Sequence, residues 1–207
     1  MQVEAFERTW SRNGWTVFET VLKPSLFGKK SPIPTLGVFR RQENGNHDLD
    51  FRFLLLATVT PTVPATLGVL AMNPSKALQS EAKSDRTVSR LINYLRYKAD
   101  LGYGRILLGN CFAKYETYST KVTADSPEIT KLNDKCLKYL FENCNQVVLA
   151  SGGASIVKDR LRSILKTSAE TCSLKCLGQK GWVGSHPSRG SYDAWELGEY
   201  DKSPLFT

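Results

Sequence analysis

Four short polar segments hold the residues able to do chemistry in this 207-residue sequence. They are Asn73-Pro74-Ser75-Lys76, Asn110-Cys111-Phe112-Ala113, Ser151-Gly152-Gly153-Ala154-Ser155 and Ser185-His186-Pro187-Ser188-Arg189. Two of them repeat the form X-Pro-Ser, with Asn73 or His186 as X. A proline there fixes the backbone just past a reactive side chain. The serine after it can offer a hydroxyl and a backbone N–H to a phosphate. Gly152 and Gly153 let a ligand approach the backbone closely. Each motif alone also fits a plain turn. Their joint occurrence is the informative fact. His186 is one of two histidines; the other, His47, sits beside Asp48 in a turn-rich stretch and reads as surface.

The four segments share a position relative to the elements around them. Residues 66–72 form an apolar run ending at Asn73. Residues 105–109 form a second, ending at Asn110, and 146–150 a third, ending at Ser151. A fourth short strand is expected over 174–177, before the glycine-rich stretch 178–190. Helices are expected between them. Over 84–101, Val88, Leu91, Ile92, Leu95 and Ala99 recur at helical spacing. Over 126–143, Pro127 stands at the first position and Leu132, Leu137, Leu140 and Phe141 point inward. A third helix is expected over 154–166.

Alternating strands and helices predict an α/β fold: three layers, α/β/α, around a mainly parallel central sheet. Right-handed crossovers then set all strand carboxyl ends along one edge, where such sheets bind ligands. The first 65 residues read as a β-rich N-terminal extension. It holds strands over 15–22 and 37–41, a loop over 23–34, a turn at 43–46 and a β-rich run over 49–60. The expected organisation is one domain over 1–207, with this extension over 1–65, an α/β core over 66–190 and a tail over 191–207.

Lys and Arg number 28 against 20 Asp and Glu, a net charge of +8. Such an excess draws polyanions, and nucleic acid leads among them. From 171 to 192 there is no acidic residue, while Lys175, Lys180 and Arg189 are basic. Hydrophobic residues at 41% and charged residues at 23% exclude a disordered chain, a collagen and a disulfide scaffold. The apolar run 53–59 is far short of the roughly 20 residues of a membrane helix, so no membrane partner is expected. No secretory leader is read at the N-terminus. The five cysteines show no CxxC spacing, and neither a second pair nor a His cluster joins Cys172 and Cys176. They read as reduced thiols of a cytoplasmic protein, with no metal and no cofactor.

In their order, the four segments resemble the motifs of the uracil-DNA glycosylase superfamily. Leu70-Ala71-Met72-Asn73-Pro74 is similar to its strand ending in Gly-x-Asn-Pro, and Ile106-Leu107-Leu108-Gly109-Asn110 to its strand ending in Asn. Val147-Val148-Leu149-Ala150-Ser151-Gly152 resembles a strand ending in Trp-Gly, and His186-Pro187-Ser188 the final His-Pro-Ser. Asn-Pro paired with His-Pro-Ser is similar to the single-strand-selective branch. Met72-Asn73-Pro74-Ser75 and Asn133-Asp134 also resemble a bacterial and phage domain family of unknown function, a distant glycosylase relative. The resemblance spans 67–190. It departs at Ala71 in place of Gly, Ser75 and Lys76 after Asn-Pro, Ser151 in place of Trp, and Arg189-Gly190 after His-Pro-Ser. These departures point away from uracil and toward a larger or modified base.

The resemblance implies a glycosylase of DNA that acts as a monomer, and it assigns roles. Asn73 orients the attacking water and His186 donates a hydrogen bond to the departing base; these are the catalytic pair. Asn110 reads the flipped base, with Phe112 stacking on it and Ser75 beside it. Lys76, Ser151, Gly152, Ser188, Arg189 and Lys180 contact the DNA, Arg189 as a wedge or a phosphate partner. Asp85 is a candidate acid or base, or a helix cap. The altered pocket fits excision of hypermodified phage bases such as glucosylated hydroxymethylcytosine, a defence activity. Two alternatives stand beside it: a non-catalytic nucleic-acid-binding module, and an N-glycosidase of free nucleosides or nucleotides.

Overall fold

Two runs without a single exposed residue set the centre of the molecule. Phe51–Thr58 is buried from Phe51 through Ala57, and Thr66–Ala71 is buried throughout. Strands enclosed on both faces read as continuous apolar runs instead of alternating ones. The computed structural model describes residues 3–12, 16–22, 25–26, 29–30, 33–40, 51–74, 86–116, 119–168, 172–177, 186–187 and 195–200.

In chain order the elements are α1 (Val3–Arg12), β1 (Thr16–Leu22), β2 (Ser25–Leu26), β3 (Lys29–Lys30), β4 (Ile33–Arg40), β5 (Phe51–Thr58) and β6 (Thr66–Ala71). Then come α2 (Arg86–Tyr97), β7 (Arg105–Asn110), α3 (Pro127–Asn143), β8 (Gln146–Ala150), α4 (Ser155–Ser168), β9 (Ser173–Leu177) and β10 (Leu197–Glu199). Eight strands form one sheet in the order β1-β4-β5-β7-β6-β8-β9-β10, and β2 and β3 pair apart from it.

The protein is α/β, but the sheet is mixed and not mainly parallel. Three pairings are parallel, β7–β6, β6–β8 and β8–β9. Four are antiparallel, β1–β4, β4–β5, β5–β7 and β9–β10. The parallel block is the part joined by helical crossovers. The strands β1, β4 and β5 follow one another with no helix between them among the described residues, and they pair antiparallel. That N-terminal part continues the same sheet through β5. It also opens with a helix, α1, whose Phe6 and Trp10 are buried against Tyr139. The tail contributes β10.

Helices cover both faces. One apolar cluster joins Phe6 of α1, Leu137 and Leu140 of α3 and Val157 and Leu161 of α4 to Leu54, Leu70, Leu107, Val147 and Leu149. The other joins Val88, Leu91 and Ile92 of α2 to Leu55, Leu67, Val69, Ile106, Leu108 and Val148. Helix α3 begins as expected: Ser126 caps it, its hydroxyl accepting from Ile129 N–H at 3.4 Å, with Pro127 next. No helix among the described residues is long and apolar enough to cross a membrane.

The chain leaves β6 for β7 on one side and later fills β8 on the other. The carboxyl end of β6 is therefore a topological switch point, where open α/β sheets form their ligand crevice.

Candidate functional site at the strand-end edge

The register brings the predicted residues together. Ala71 at the end of β6 pairs with Asn110 on one side and with Ala150 on the other. Neighbouring strands lie about 4.8 Å apart, so the ends of β7, β6 and β8 span roughly 10 Å. Asn73 follows β6, Asn110 closes β7, and Ser151 and Gly152 follow β8. His186 joins them: a Cβ built on Gly152 would lie 3.4 Å from His186 Cβ. Gly152 has φ 75°, where an L side chain is strained. Pro187 is buried, and its carbonyl accepts from Arg90 of α2 at 3.3 Å. Helix α2 therefore ties the His-Pro segment to the edge.

Asn73 and Asn110 differ in how their amides are used. Asn73 is half-buried, and its Nδ2 donates to Glu116 O at 2.6 Å and Pro74 O at 3.1 Å. Only an NH₂ group can serve two carbonyls, so the amide has one orientation. No donor among the described residues reaches Oδ1. Glu116 N–H returns a bond to Pro74 O at 3.1 Å, locking the two loops together. Asn110 is 0% exposed, and neither end of its amide has a hydrogen-bond partner among the described residues. Strand alternation puts Asn110 on the face of Ile106 and Leu108, the α2 face. Ser151, in step with Val147 and Leu149, falls toward α3 and α4. Its buried hydroxyl likewise has no partner among the described residues.

The loop after β7 is fixed by many elements. Cys111 N–H donates to Ala71 O and Phe112 N–H to Met72 O. Asp125 accepts from Ala113 N–H at 2.7 Å and Lys114 N–H at 3.3 Å. Burial raises the Asp125 carboxyl above its usual range, against the opposing pull of those two N–H groups and of Arg160 and Lys114. Burial likewise pushes the Cys111 thiol up to about 12, so it is neutral and inert near pH 7. Phe112 is 3% exposed and packs in the larger apolar cluster; its ring is part of the core in this structure.

The edge thus collects Asn73, Asn110, Ser151, Gly152 and His186. Ser75, Lys76, Asp85, Lys180, Ser188 and Arg189 lie outside the described residues. Arg90, Asp125, Asn133 and Arg160 also serve the edge, through contacts to loop backbone that leave no local mark in the sequence. Among the described residues, no group of three or more His, Cys, Asp or Glu side chains is placed to hold a metal ion.

A mixed α/β sheet with its polar residues gathered at a switch point defines the class. Residues 52–188, more than half of the chain, match the family described as "Protein of unknown function (DUF1643)". The chain belongs to that family. The match starts inside β5, so the family unit takes in part of the expected N-terminal extension. No curated protein matches the chain. Among solved structures it is similar to a zinc-dependent exopeptidase from Parabacteroides distasonis. That protein is 11% identical, with 98% of this chain and 84% of the other covered and a TM-score of 0.28. A TM-score that low carries no argument.

Proposed function

We propose that the protein is a monomeric, cytoplasmic DNA glycosylase that hydrolyses the N-glycosidic bond of a flipped-out, modified base. In this reading the parallel block β7-β6-β8-β9, with helices on both faces, is the three-layer core of a uracil-DNA glycosylase-like fold. The observation that carries the proposal is Asn110. A fully buried amide with both ends unpartnered is costly to a fold. It lies at the switch point, on one edge with Asn73 and His186. A ligand with a donor beside an acceptor, such as a base edge, satisfies both ends of such an amide.

The chemistry follows from the charges that develop. A stacked base is out of reach, so it is first extruded from the strand, at a cost of a few kcal/mol. As the C1′–N bond breaks, the sugar becomes cationic and the base anionic. Asn73 turns Oδ1 toward the attacking water and holds it without adding a charge. The water oxygen bonds to C1′ as the C1′–N bond breaks, and the proton it releases passes to solvent while the base anion takes one up, so that the base leaves neutral. His186 donates an N–H to the base as it accepts the bonding electrons; one such donor is worth ~10²–10³ in rate. The products are a free base and an abasic site. Lys76, Gly152, Lys180, Ser188 and Arg189 serve the phosphates, and Ser75 stands beside the base. Ser151 offers the strand only its backbone, because its hydroxyl is buried toward α3 and α4. The departures from the uracil motifs suit a bulky base such as glucosylated hydroxymethylcytosine.

The test is incubation with unmodified DNA, uracil-containing DNA and DNA carrying glucosylated hydroxymethylcytosine, followed by an abasic-site nuclease. Strand breaks confined to the glucosylated DNA are expected. Intact strands in all three would sink the proposal.

A further inference from the structure

The pair Asn133-Asp134 has no part in the chemistry above, yet it reaches the same place. Asn133 lies on α3 and is 0% exposed. Its Nδ2 donates to two successive carbonyls, Asn110 O at 2.9 Å and Cys111 O at 3.1 Å. Arg160 of α4 donates through Nε to the same Cys111 O at 2.9 Å. The Arg160 guanidinium is held in turn by Asp134 at 2.6 Å. Two helices thus send three polar side chains, directly or through one another, to two successive peptide units, Asn110–Cys111 and Cys111–Phe112.

That is expensive hardware for a strand end. Burying an amide on a helix costs free energy unless it is hydrogen-bonded, and a buried apolar residue packs there without that risk. The first of these peptides begins at Asn110, which carries the unpartnered amide, and the second follows it directly. The rest of the loop is pinned as well: Cys111 and Phe112 N–H on the end of β6, Ala113 and Lys114 N–H on Asp125, and Ala113 O on Arg52 N–H of β5. With backbone partners on every side, the Asn110 backbone is held, although neither end of its amide has a partner among the described residues.

We propose that Asn133 and Arg160, braced by Asp134, are positioning residues that clamp the two successive peptides from Asn110 to Phe112 and so aim the Asn110 amide at the base. The proposal rests on the glycosylase reading for what Asn110 recognises. The clamp itself rests on the four contacts above.

A double-mutant cycle tests it. Single-turnover excision of glucosylated hydroxymethylcytosine from DNA is measured for the parent, Asn133→Ala, Asn110→Ala and the double variant, each checked for folding by thermal melting. Asn133→Ala slows the parent about 10- to 100-fold but the Asn110→Ala protein by less than about threefold, because the aimed group is already gone. Arg160→Lys, which keeps the charge on Asp134 but loses the Nε donor, falls between parent and Asn133→Ala. An equal loss in both backgrounds overturns the clamp and leaves Asn133 a stability residue. If the parent excises nothing, the glycosylase reading fails. The same cycle is then read in affinity for that DNA by fluorescence anisotropy. Coupling between positions 110 and 133 there upholds the clamp, and additive losses, or none, overturn it.

Discussion

At Asn73 the amide nitrogen is committed to two carbonyls, while at Asn110 neither end of the amide has a partner among the described residues. The two residues therefore respond to substitution in opposite ways. Asn73→Asp replaces a donor by a carboxylate facing Glu116 O and Pro74 O. It is expected to cost about 1–3 kcal/mol of stability, read from denaturant unfolding, as well as excision. Asn110→Leu removes an unsatisfied buried amide at nearly constant shape. The expected result is a protein as stable as the parent, or more stable by about 1 kcal/mol, that no longer excises. Loss of stability in Asn110→Leu would make Asn110 a structural residue. Asp125 gives a pH signature. Its carboxyl is raised by burial, so the folded protein binds the proton more tightly than the unfolded chain. Its contribution is complete below 3.8, the ordinary value of the carboxyl in an unfolded chain, and is lost as pH rises through the raised folded value. Asp125→Asn should flatten that decline in stability with rising pH; an unchanged profile refutes the assignment.

At the scale of elements, Gly152 joins β8 to the His-Pro segment. Its φ of 75° disfavours any side chain, while a Cβ there would meet His186 Cβ at 3.4 Å, an ordinary contact, so the cost is backbone strain. Gly152→Ala is expected to lose about 1 kcal/mol and to slow excision, measured by melting and single-turnover assays. The α2, α3 and α4 helices and the four parallel strands were legible in the sequence because apolar spacing is a local signal. Strand β4 was only partly so. Pro34 reads as a breaker, yet it precedes Thr35, where pairing with β5 begins, so its missing N–H interrupts no bond there. Helix α1 was not read, though Val3, Phe6 and Trp10 follow helical spacing. The edge residues Asn73, Asn110, Gly152 and His186 were legible because strand ends could be located. Asn133, Asp125 and Arg160 were not, as actors, since each works by bonding backbone far along the chain. The burial of Phe112 depends on an apolar cluster assembled from elements far apart in the chain, which no single stretch of sequence encodes.

For the whole molecule, the net charge of +8 makes salt the variable that tests DNA against free nucleosides or nucleotides as substrates. A protein that neutralises several phosphates loses affinity with salt at a log–log slope of about −0.9 per contact. Binding to DNA over a salt series is expected to show a slope of several units, while a nucleoside enzyme would show almost none. A protein that binds DNA with that slope but tolerates Asn73→Ala would be a non-catalytic module.

The most direct measurement compares release of free base from glucosylated phage DNA in a single turnover by the parent, Asn73→Ala and His186→Ala, each confirmed to be folded. The expected outcome is one free base per new abasic site from the parent, and a loss of at least about 100-fold in each variant. Release by both variants at the parent's rate would contradict a shared site at this edge of the sheet.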